Sequence, residues 1–421
     1  MDIKVISNSI WMIIEKIVSI FGLIFVTSYV AKYIGPENFG KITFVSSIFI
    51  IVQTIAMFGS EHILLKRVSK NRVSGIKLML STVKLRNICF FLISAIVLSV
   101  LYTESDHVTF VFGVATAAAF YFTTIDVYSV YNNAILSSKI NTICNVIGLT
   151  ISLLVRLGIA KFELNFLYLS IPIILVTFIP YLMKRSFFFK RNSISKQFSF
   201  KKELKYSKYM FFSGIPLAIS TVSVIIYARL AQFFIMKFGG NEQLGIFAVG
   251  SQLATAWTFV TAAIITSYFA RIYETRDKTK AINMAAKLNG LVFLIAIFIV
   301  FCINVFGQFV INILYGVQFS QSYDILMIMT INSLCSCMGP IANKYIIYES
   351  GYNYLSKKMI AVMIITVPIS YYLTSKYGMY GAAYGTVLTE FLSLTLLNYF
   401  FNKGVVLKIH LKALNPRTYI K

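Results

Sequence analysis

Charged residues are scarce in this sequence: Asp, Glu, Lys and Arg make up only 13% of its 421 residues, against about a quarter in a typical soluble domain. Hydrophobic residues supply 58% of the chain, and the mean hydropathy is +0.77. The apolar residues form continuous runs rather than the alternating pattern of a membrane β-barrel. These features exclude a soluble domain and predict an all-α membrane protein with many spanning helices.

Cysteine and histidine are too few and too scattered to predict a disulfide framework or a metal site. The five cysteines all lie in apolar runs: Cys89, Cys144, Cys302, Cys335 and Cys337. The three histidines are far apart in the chain. No G-x-x-x-x-G-K-[ST] motif is present, which argues against ATP hydrolysis through a phosphate-binding loop. We therefore expect neither a cofactor nor a metal, and no enzymatic activity.

Twelve apolar segments are long enough to span a membrane as helices. They cover residues 9–32, 42–65, 82–102, 108–131, 140–160, 164–183, 209–236, 243–270, 285–306, 322–348, 359–375 and 380–400. No small-residue cleavage site precedes Lys32, so we expect the first segment to be an uncleaved helix rather than a signal peptide.

Acidic residues are fewer than basic ones, 15 against 39, and the distribution of the basic ones predicts an orientation. With the N-terminus inside, the inner segments hold 30 Lys and Arg residues and the outer loops hold five. By the positive-inside rule, both termini lie on the cytoplasmic side and the number of spans is even. The basic inner face indicates contact with anionic membrane lipids rather than with nucleic acid.

The chain lacks a hydrophilic stretch long enough for a soluble domain. The longest, Lys184 to Lys208, separates the sixth and seventh segments. We therefore predict a six-helix bundle over residues 1–205 and a second one over residues 206–421, the second ending in a basic cytoplasmic tail.

A repeated turn supports this division into like halves. KYIGPENFG at residues 32–40 and KFGGNEQLG at residues 237–245 match at an offset of 205 residues, with Gly35 on Gly240 and Gly40 on Gly245. Glycine permits the positive φ that a tight reversal needs. Two like halves are typical of transporters, and they predict a substrate route between the halves that opens by alternating access.

Polar residues inside the predicted spans are costly and usually face a bundle interior or a hydrated cavity. In the fifth segment they follow one another at helical spacing: Asn141, Asn145, Gly148, Ser152 and Arg156. This line lies on one face of a helix. Two interpretations stay open for it, a packing seam with interhelical hydrogen bonds and the wall of a cavity.

We predict a cationic cavity, because a guanidinium presents a donor fork suited to phosphate. The candidate cavity residues are Arg156, Arg229, Asn145, Ser152, Lys16 and Lys344. The alternative for the arginines is an ion pair with an acidic residue of a neighbouring helix.

A buried carboxyl group that carries a proton would supply ion coupling. The candidates for this role are Glu15, Glu390 and Asp126. Asp126 and Lys344 lie near the cytoplasmic ends of their spans, where side chains can instead extend to the membrane surface. Glu15 has an alternative too, a local pair with the neighbouring Lys16.

Several short motifs resemble those of bacterial polysaccharide exporters. In chain order they are Tyr33-Ile34-Gly35-Pro36-x-x-Phe39-Gly40, Arg229-x-x-Gln232, Gly239-Gly240, Gly245-Ile246-Phe247-Ala248, Leu314-Tyr315-Gly316 and Tyr377-Gly378-x-x-Gly381-Ala382-Ala383. The similar family is that of the Wzx-like O-antigen flippases, within the multidrug/oligosaccharidyl-lipid/polysaccharide (MOP) superfamily. The resemblance covers the whole chain, including its length and its plan of twelve spans.

Membership would imply that the chain moves undecaprenyl-pyrophosphate-linked O-antigen, or a related repeat unit, across the bacterial inner membrane. It would also imply that the chain acts together with a polysaccharide polymerase and a chain-length regulator. One departure is Ala231, where many relatives carry an aspartate; coupling here would then use another carboxyl group.

Two rival functions differ in their expected features. An antiporter of small cations, like the multidrug and toxin extrusion (MATE) proteins, would favour an acidic cavity. A polysaccharide polymerase would need a long outer loop, and every predicted outer loop is short.

Overall fold

The computed structural model describes residues 3–192 and 200–418, and these residues form helices and short connections without any β-strand. The helices are α1 Ile3–Met57, α2 Ser60–Lys70, α3 Arg72–Ser81, α4 Val83–Glu104, α5 His107–Ile125, α6 Val127–Ala134, α7 Ser138–Lys161, α8 Ser170–Arg191, α9 Phe200–Thr255, α10 Thr258–Glu274, α11 Lys278–Leu314, α12 Ser322–Tyr348, α13 Tyr352–Phe391, α14 Leu397–Tyr399 and α15 Val405–Leu414. A π-helical turn, Leu392–Leu396, joins α13 to α14. The predicted all-α, multi-span class is confirmed.

Nine helical stretches in the described residues are long and apolar enough to cross a membrane. Three of them are 44, 58 and 47 residues long, about twice the length of one crossing: Ile14–Met57, Leu217–Glu274 and Asn353–Tyr399. Each of the three contains one glycine with non-helical backbone angles: Gly35, Gly240 and Gly378. A reversal at each glycine would turn the nine stretches into the twelve predicted spans. That count, and the inner placement of both termini, stay predictions.

The repeated turn has the same backbone geometry at both occurrences. Gly35 has φ 78° and ψ 169°, and Gly240 has φ 73° and ψ −172°. This region of backbone space is essentially restricted to glycine. The positive φ that we expected at both turns is therefore confirmed.

Replacing Gly240 with alanine should destabilise the protein through backbone strain alone. A Cβ built at Gly240 meets no atom within 4 Å, so there is no clash to add to the strain. We expect a loss of about 1–3 kcal/mol, seen as a lower thermal unfolding midpoint of the purified protein in detergent. The matched control is Gly158→Ala, because Gly158 lies in α7 with equally open space and ordinary helical angles. That change should be neutral or stabilising, and an equal loss in both variants would contradict the strain argument.

In each half, a hydrogen bond connects the repeated turn to a later turn of the same half. The Tyr33 hydroxyl donates a hydrogen bond to the Leu164 carbonyl oxygen, in the connection between α7 and α8. In the second half, the Met379 backbone N–H donates to Gln243 Oε1 at 3.2 Å, beside the break at Gly378. The two halves thus hold the predicted outer end of their first hairpin in a similar way.

The chain divides into two compact units, residues 1–225 and 226–421, with the division inside α9. The first unit has a core around Leu64, Tyr128 and Phe188, and the second has one around Ile272 and Ile341. The six-helix content and the bounds 1–205 and 206–421 that we expected for the halves stay predictions.

Some helix ends differ from those in the sequence prediction. The predicted second segment, 42–65, ends at Met57, because Phe58 and Gly59 adopt positive φ values of 47° and 61° before α2 begins. The predicted fourth segment, 108–131, is interrupted at Asp126, whose side chain caps α6. Lys184, which we had placed in a hydrophilic linker, is buried within α8.

Candidate functional site

The inner part of the polar line on α7 is a network of hydrogen bonds. Asn141 Nδ2 donates to the Ser129 carbonyl oxygen at 2.9 Å and to Asn133 Oδ1 at 2.8 Å. Asn132 Nδ2 donates to Asn141 Oδ1 at 2.9 Å. Because these amides satisfy one another, this part of the line fixes α6 against α7.

The middle of the line packs against α8. Ser152, only 1% exposed, donates from Oγ to the Pro172 carbonyl oxygen at 2.9 Å. A Cβ added at Gly148 would lie 2.4 Å from Pro180 Cδ, so only glycine permits this close approach. The structure therefore places Ser152, a predicted cavity residue, in the seam between α7 and α8.

Glu15 and Asn145, predicted separately, lie in direct contact between α1 and α7. Asn145 Nδ2 donates to Glu15 Oε1 at 2.7 Å. The Thr142 hydroxyl donates to the Trp11 carbonyl oxygen at 3.0 Å and lies 3.3 Å from Glu15 Oε2. Lys16 is exposed, and it forms no ion pair with Glu15 in the part of the chain that the structure describes. Polar side chains, rather than a cation, therefore hold this carboxyl group.

An apolar groove of about 510 Å³ lies between the same two helices, C-terminal to Glu15 on α1 and to Asn145 on α7. Its lining is Val18, Gly22, Val26, Thr150, Leu153, Leu154 and Leu157. Arg156 lies on the same turn of α7 as Leu153 and Leu157. Arg156 itself is not among the lining residues, and the lining contains no charged side chain.

Neither of the two predicted cavity arginines has a carboxylate partner among the described residues. Arg156 is half-buried, and across residues 3–192 and 200–418 it has neither an ion pair nor a hydrogen bond. Arg229, also half-buried, donates from Nη1 to Gln232 Oε1 at 3.2 Å, and its charge is likewise uncompensated among the described residues. The alternative of an interhelical ion pair therefore finds no support at either position. Lys344 is half-buried on α12 and, within the described chain, also lacks an ion pair.

Asp126 is held in a buried ion pair. Lys184 Nζ lies 2.7 Å from Asp126 Oδ2 and 2.7 Å from Ser129 Oγ, and the two charged side chains are 4% and 12% exposed. Asp126 Oδ1 also accepts from the Ser129 backbone N–H at 3.3 Å, which caps α6. This geometry gives Asp126 a structural role.

A second paired cation lies at the predicted outer end of the first unit. Lys41 Nζ is 3.0 Å from both Glu37 Oε1 and Asp106 Oδ2. Burial disfavours the charged form of Asp106, but hydrogen bonds from Thr109 and Lys41 outweigh it and lower the pKa of this carboxyl. The cluster joins the first outer turn to the start of α5.

Lys358 is a buried cation that the sequence prediction missed. It is 5% exposed, and its Nζ donates to Asn398 Oδ1 at 2.8 Å, Asn343 Oδ1 at 3.1 Å and the Ser393 carbonyl oxygen at 3.2 Å. In the sequence it stands beside Lys357 and was counted as part of a basic inner loop. Asn343, facing it from α12, was the only local sign of a polar interior.

Glu390 lies near this lysine, on the part of α13 that follows the break at Gly378. It interacts electrostatically with Lys358, but the two form no ion pair within the described residues. Its Oε2 is buried and has no hydrogen-bond partner. Glu390 was predicted as a coupling residue; the structure adds Lys358 to its surroundings.

Comparison with known proteins points to polysaccharide biosynthesis. Residues 5–274 match the model of the family described as Polysaccharide biosynthesis protein. The capsular polysaccharide biosynthesis protein CapF of Staphylococcus aureus is 24% identical over 200 residues, which are 47% of this chain and 50% of CapF. The match therefore spans half the length of that curated relative.

The fold is similar to those of solved transporter structures. Lipid II flippase MurJ in an inward closed conformation matches with a TM-score of 0.68 and 15% identity, over 99% of this chain and 92% of MurJ. An inward-facing multidrug resistance MATE transporter of the MOP superfamily matches with a TM-score of 0.71 and 13% identity, over 92% and 95% of the two chains. At these identities the likeness concerns the fold, and both similar structures are transporters.

Proposed function

We propose that this chain, which belongs to the polysaccharide biosynthesis protein family, is a flippase for lipid-linked oligosaccharides. In this proposal it moves an undecaprenyl-pyrophosphate-linked repeat unit from the inner to the outer leaflet of a bacterial inner membrane. The family match and the multi-span helical transporter fold support a transported substrate rather than an enzymatic reaction. The unit would then pass to a polysaccharide polymerase and a chain-length regulator.

The observation that carries the proposal is the uncompensated charge of Arg156 and Arg229. A guanidinium within a membrane span is costly, and such residues usually mark a substrate route. A pyrophosphate would offer an arginine of either unit the acceptor oxygens that no carboxylate of the described chain supplies. Lys344 adds a further positive charge in the second unit.

The apolar groove between α1 and α7 agrees with a substrate that has a hydrocarbon tail. Its lining residues are apolar apart from Thr150. Hydrocarbon buried along such a surface gains roughly 25 cal/mol per Å². In our proposal the pyrophosphate lies near Arg156 while the isoprenoid chain stays on the apolar side of α1 and α7.

The rival function, a small-cation antiporter, fits the charges less well. A cationic substrate would be repelled by Arg156, Arg229 and Lys344, none of which has an acidic partner in the described residues. Among the acidic candidates, Asp126 already forms an ion pair with Lys184, so its charge is not available to a cationic substrate.

Deleting the gene and analysing the lipid carrier tests the proposed function. We expect complete single repeat units to accumulate on the carrier, all facing the cytoplasm, because synthesis continues while flipping stops. Expression of the chain from a plasmid should reverse the accumulation. Units that gather on the outer side instead would point to a polymerase, and a carrier pool unaffected by deletion would contradict the flippase proposal.

A further inference from the structure

The second unit contains two buried ionisable residues, Lys358 and Glu390. Such residues are costly within a membrane span and usually have a function there. Resting on the function proposed above, we propose that they form a proton-binding site that powers the flippase, in which Glu390 takes up the proton and Lys358 moves between two sets of oxygen ligands. Both residues lie within the second unit.

Lys358 is held here as a cation without an anion. Its three acceptors are neutral: two side-chain amide oxygens, from Asn343 and Asn398, and the backbone carbonyl oxygen of Ser393. Three neutral oxygens satisfy the three ammonium hydrogens, but they leave a full positive charge in a buried place. A structural lysine would be expected to pair with a carboxylate, as Lys184 does with Asp126.

Glu390 has the complementary arrangement. Its Oε2 is buried and receives no hydrogen bond from the residues that the structure describes. Burying an ionised carboxylate oxygen without a hydrogen bond costs much more free energy than burying the oxygen of a protonated acid. The observed arrangement, a lysine bound elsewhere and a carboxyl oxygen left alone, is the one expected when Glu390 carries the proton.

A local irregularity of the helix brings the two groups within reach of each other. The π-helical turn Leu392–Leu396 begins two residues after Glu390, and it frees the Ser393 carbonyl oxygen to accept from Lys358. Such turns are frequent at functional sites. Glu390 and Ser393 are three residues apart, about 4.5 Å along a helix axis. The movement that the proposal requires is a change of rotamer of the long Lys358 side chain from Ser393 toward Glu390.

The proton balance of the proposed step is simple. The Glu390 carboxylic acid gives one proton to water and becomes a carboxylate. The Lys358 ammonium keeps its three protons, leaves Ser393 and Asn398, and forms an ion pair with that carboxylate. The contacts of Lys358 with the π-helical turn and with α14 are thereby lost, which lets the conformation change. The other titratable groups that interact electrostatically with Glu390 are Tyr227 on α9 and Cys335 on α12. Both are neutral near pH 7 at their ordinary pKa values.

Infrared difference spectroscopy of the full chain in lipid vesicles, titrated by buffer pH, tests the site directly with the proton as its only probe. We expect a protonated-carboxyl band that disappears as the pH rises and is absent in Glu390→Gln. Glu390→Asp, which keeps the carboxyl group, should shift the band and serves as a second variant if Glu390→Gln does not fold. The matched control is Glu242→Gln, an exposed carboxyl of the same unit, which should leave the band unchanged.

Lys358 variants separate a coupling role from a packing role. Lys358→Gln should raise the midpoint of band loss by about one to three pH units, because the carboxylate loses its nearest cation. Lys358→Arg, which keeps the charge, should stay near the wild-type midpoint. A band that survives in Glu390→Gln, or a midpoint that Lys358→Gln leaves unchanged, would overturn the proposal.

The titration uses no oligosaccharide, so its outcome is independent of the carrier analysis. Carrier accumulation on gene deletion without a Glu390 band would leave the flippase proposal standing and reject the proton site. A Glu390 titration with no carrier phenotype would reject the flippase role and keep the proton site.

Discussion

Asp126→Ala is expected to be among the most destabilising single changes in the first unit, by about 3–5 kcal/mol. The substitution leaves the Lys184 ammonium buried, 4% exposed, with its carboxylate partner gone. It also removes the cap of α6, which contributes about 1 kcal/mol of the loss. Unfolding of the purified protein in mixed micelles, followed by circular dichroism, measures the change.

The double variant Asp126→Ala/Lys184→Met distinguishes charge burial from loss of contacts. Because it removes both charges, most of the stability should return, and the remaining loss should be near that of the missing cap. Lys190→Met, an exposed lysine on the same helix, is the matched control and should have little effect. Equal destabilisation in the single and double variants would show that the ion pair does not contribute to the free energy of unfolding.

Asp126 also shows what the sequence could not reveal about the site. Its place within a predicted span made it a candidate for coupling, but its partner Lys184 is 58 residues away. Pairings of this kind depend on which helices become neighbours, and hydropathy does not contain that information. Glu15 and Asn145 are a similar case: each was predicted from its own helix, and their contact follows only from the packing of α1 against α7.

Local signals were predicted far better than contacts. The breaks at Gly35 and Gly240 could be read from the sequence because glycine alone permits the required backbone angles. The predicted segment 322–348 coincides with α12, which is apolar along most of its length. In contrast, α11 is longer than the predicted segment 285–306, because its first turns bury Ala281 and Ala285 while carrying polar residues on the other face.

Lys358 escaped prediction for a related reason. Basic residues near a predicted span end are normally solvated, and Lys357 beside it is exposed. Only the three-dimensional arrangement of α12, the π-helical turn and α14 provides the oxygens that make burial of this lysine tolerable. The identity of a buried cation in a membrane protein is therefore set by long-range contacts rather than by its sequence neighbours.

Arg156→Ala and Arg229→Ala are each expected to reduce flipping by about 10–100-fold, since a hydrogen bond to a charged group contributes about 1.5–3 kcal/mol. The accumulation of inward-facing carrier-linked units in cells, compared with the amount of protein in the membrane, measures this loss. Membrane insertion should be unaffected, because both substitutions remove an uncompensated charge from a span. Lys161→Ala, at the end of the same α7 helix and exposed, is the matched control for Arg156 and should export normally.

Lysine substitutions at the two positions separate charge from geometry. Arg156→Lys keeps the positive charge but loses the planar donor fork, so it should recover part of the activity if the partner is a pyrophosphate. Full recovery would mean that the charge alone attracts the substrate, and a cavity without specific phosphate contacts would then suffice. Wild-type export by both alanine variants would remove the anion-binding role from both arginines.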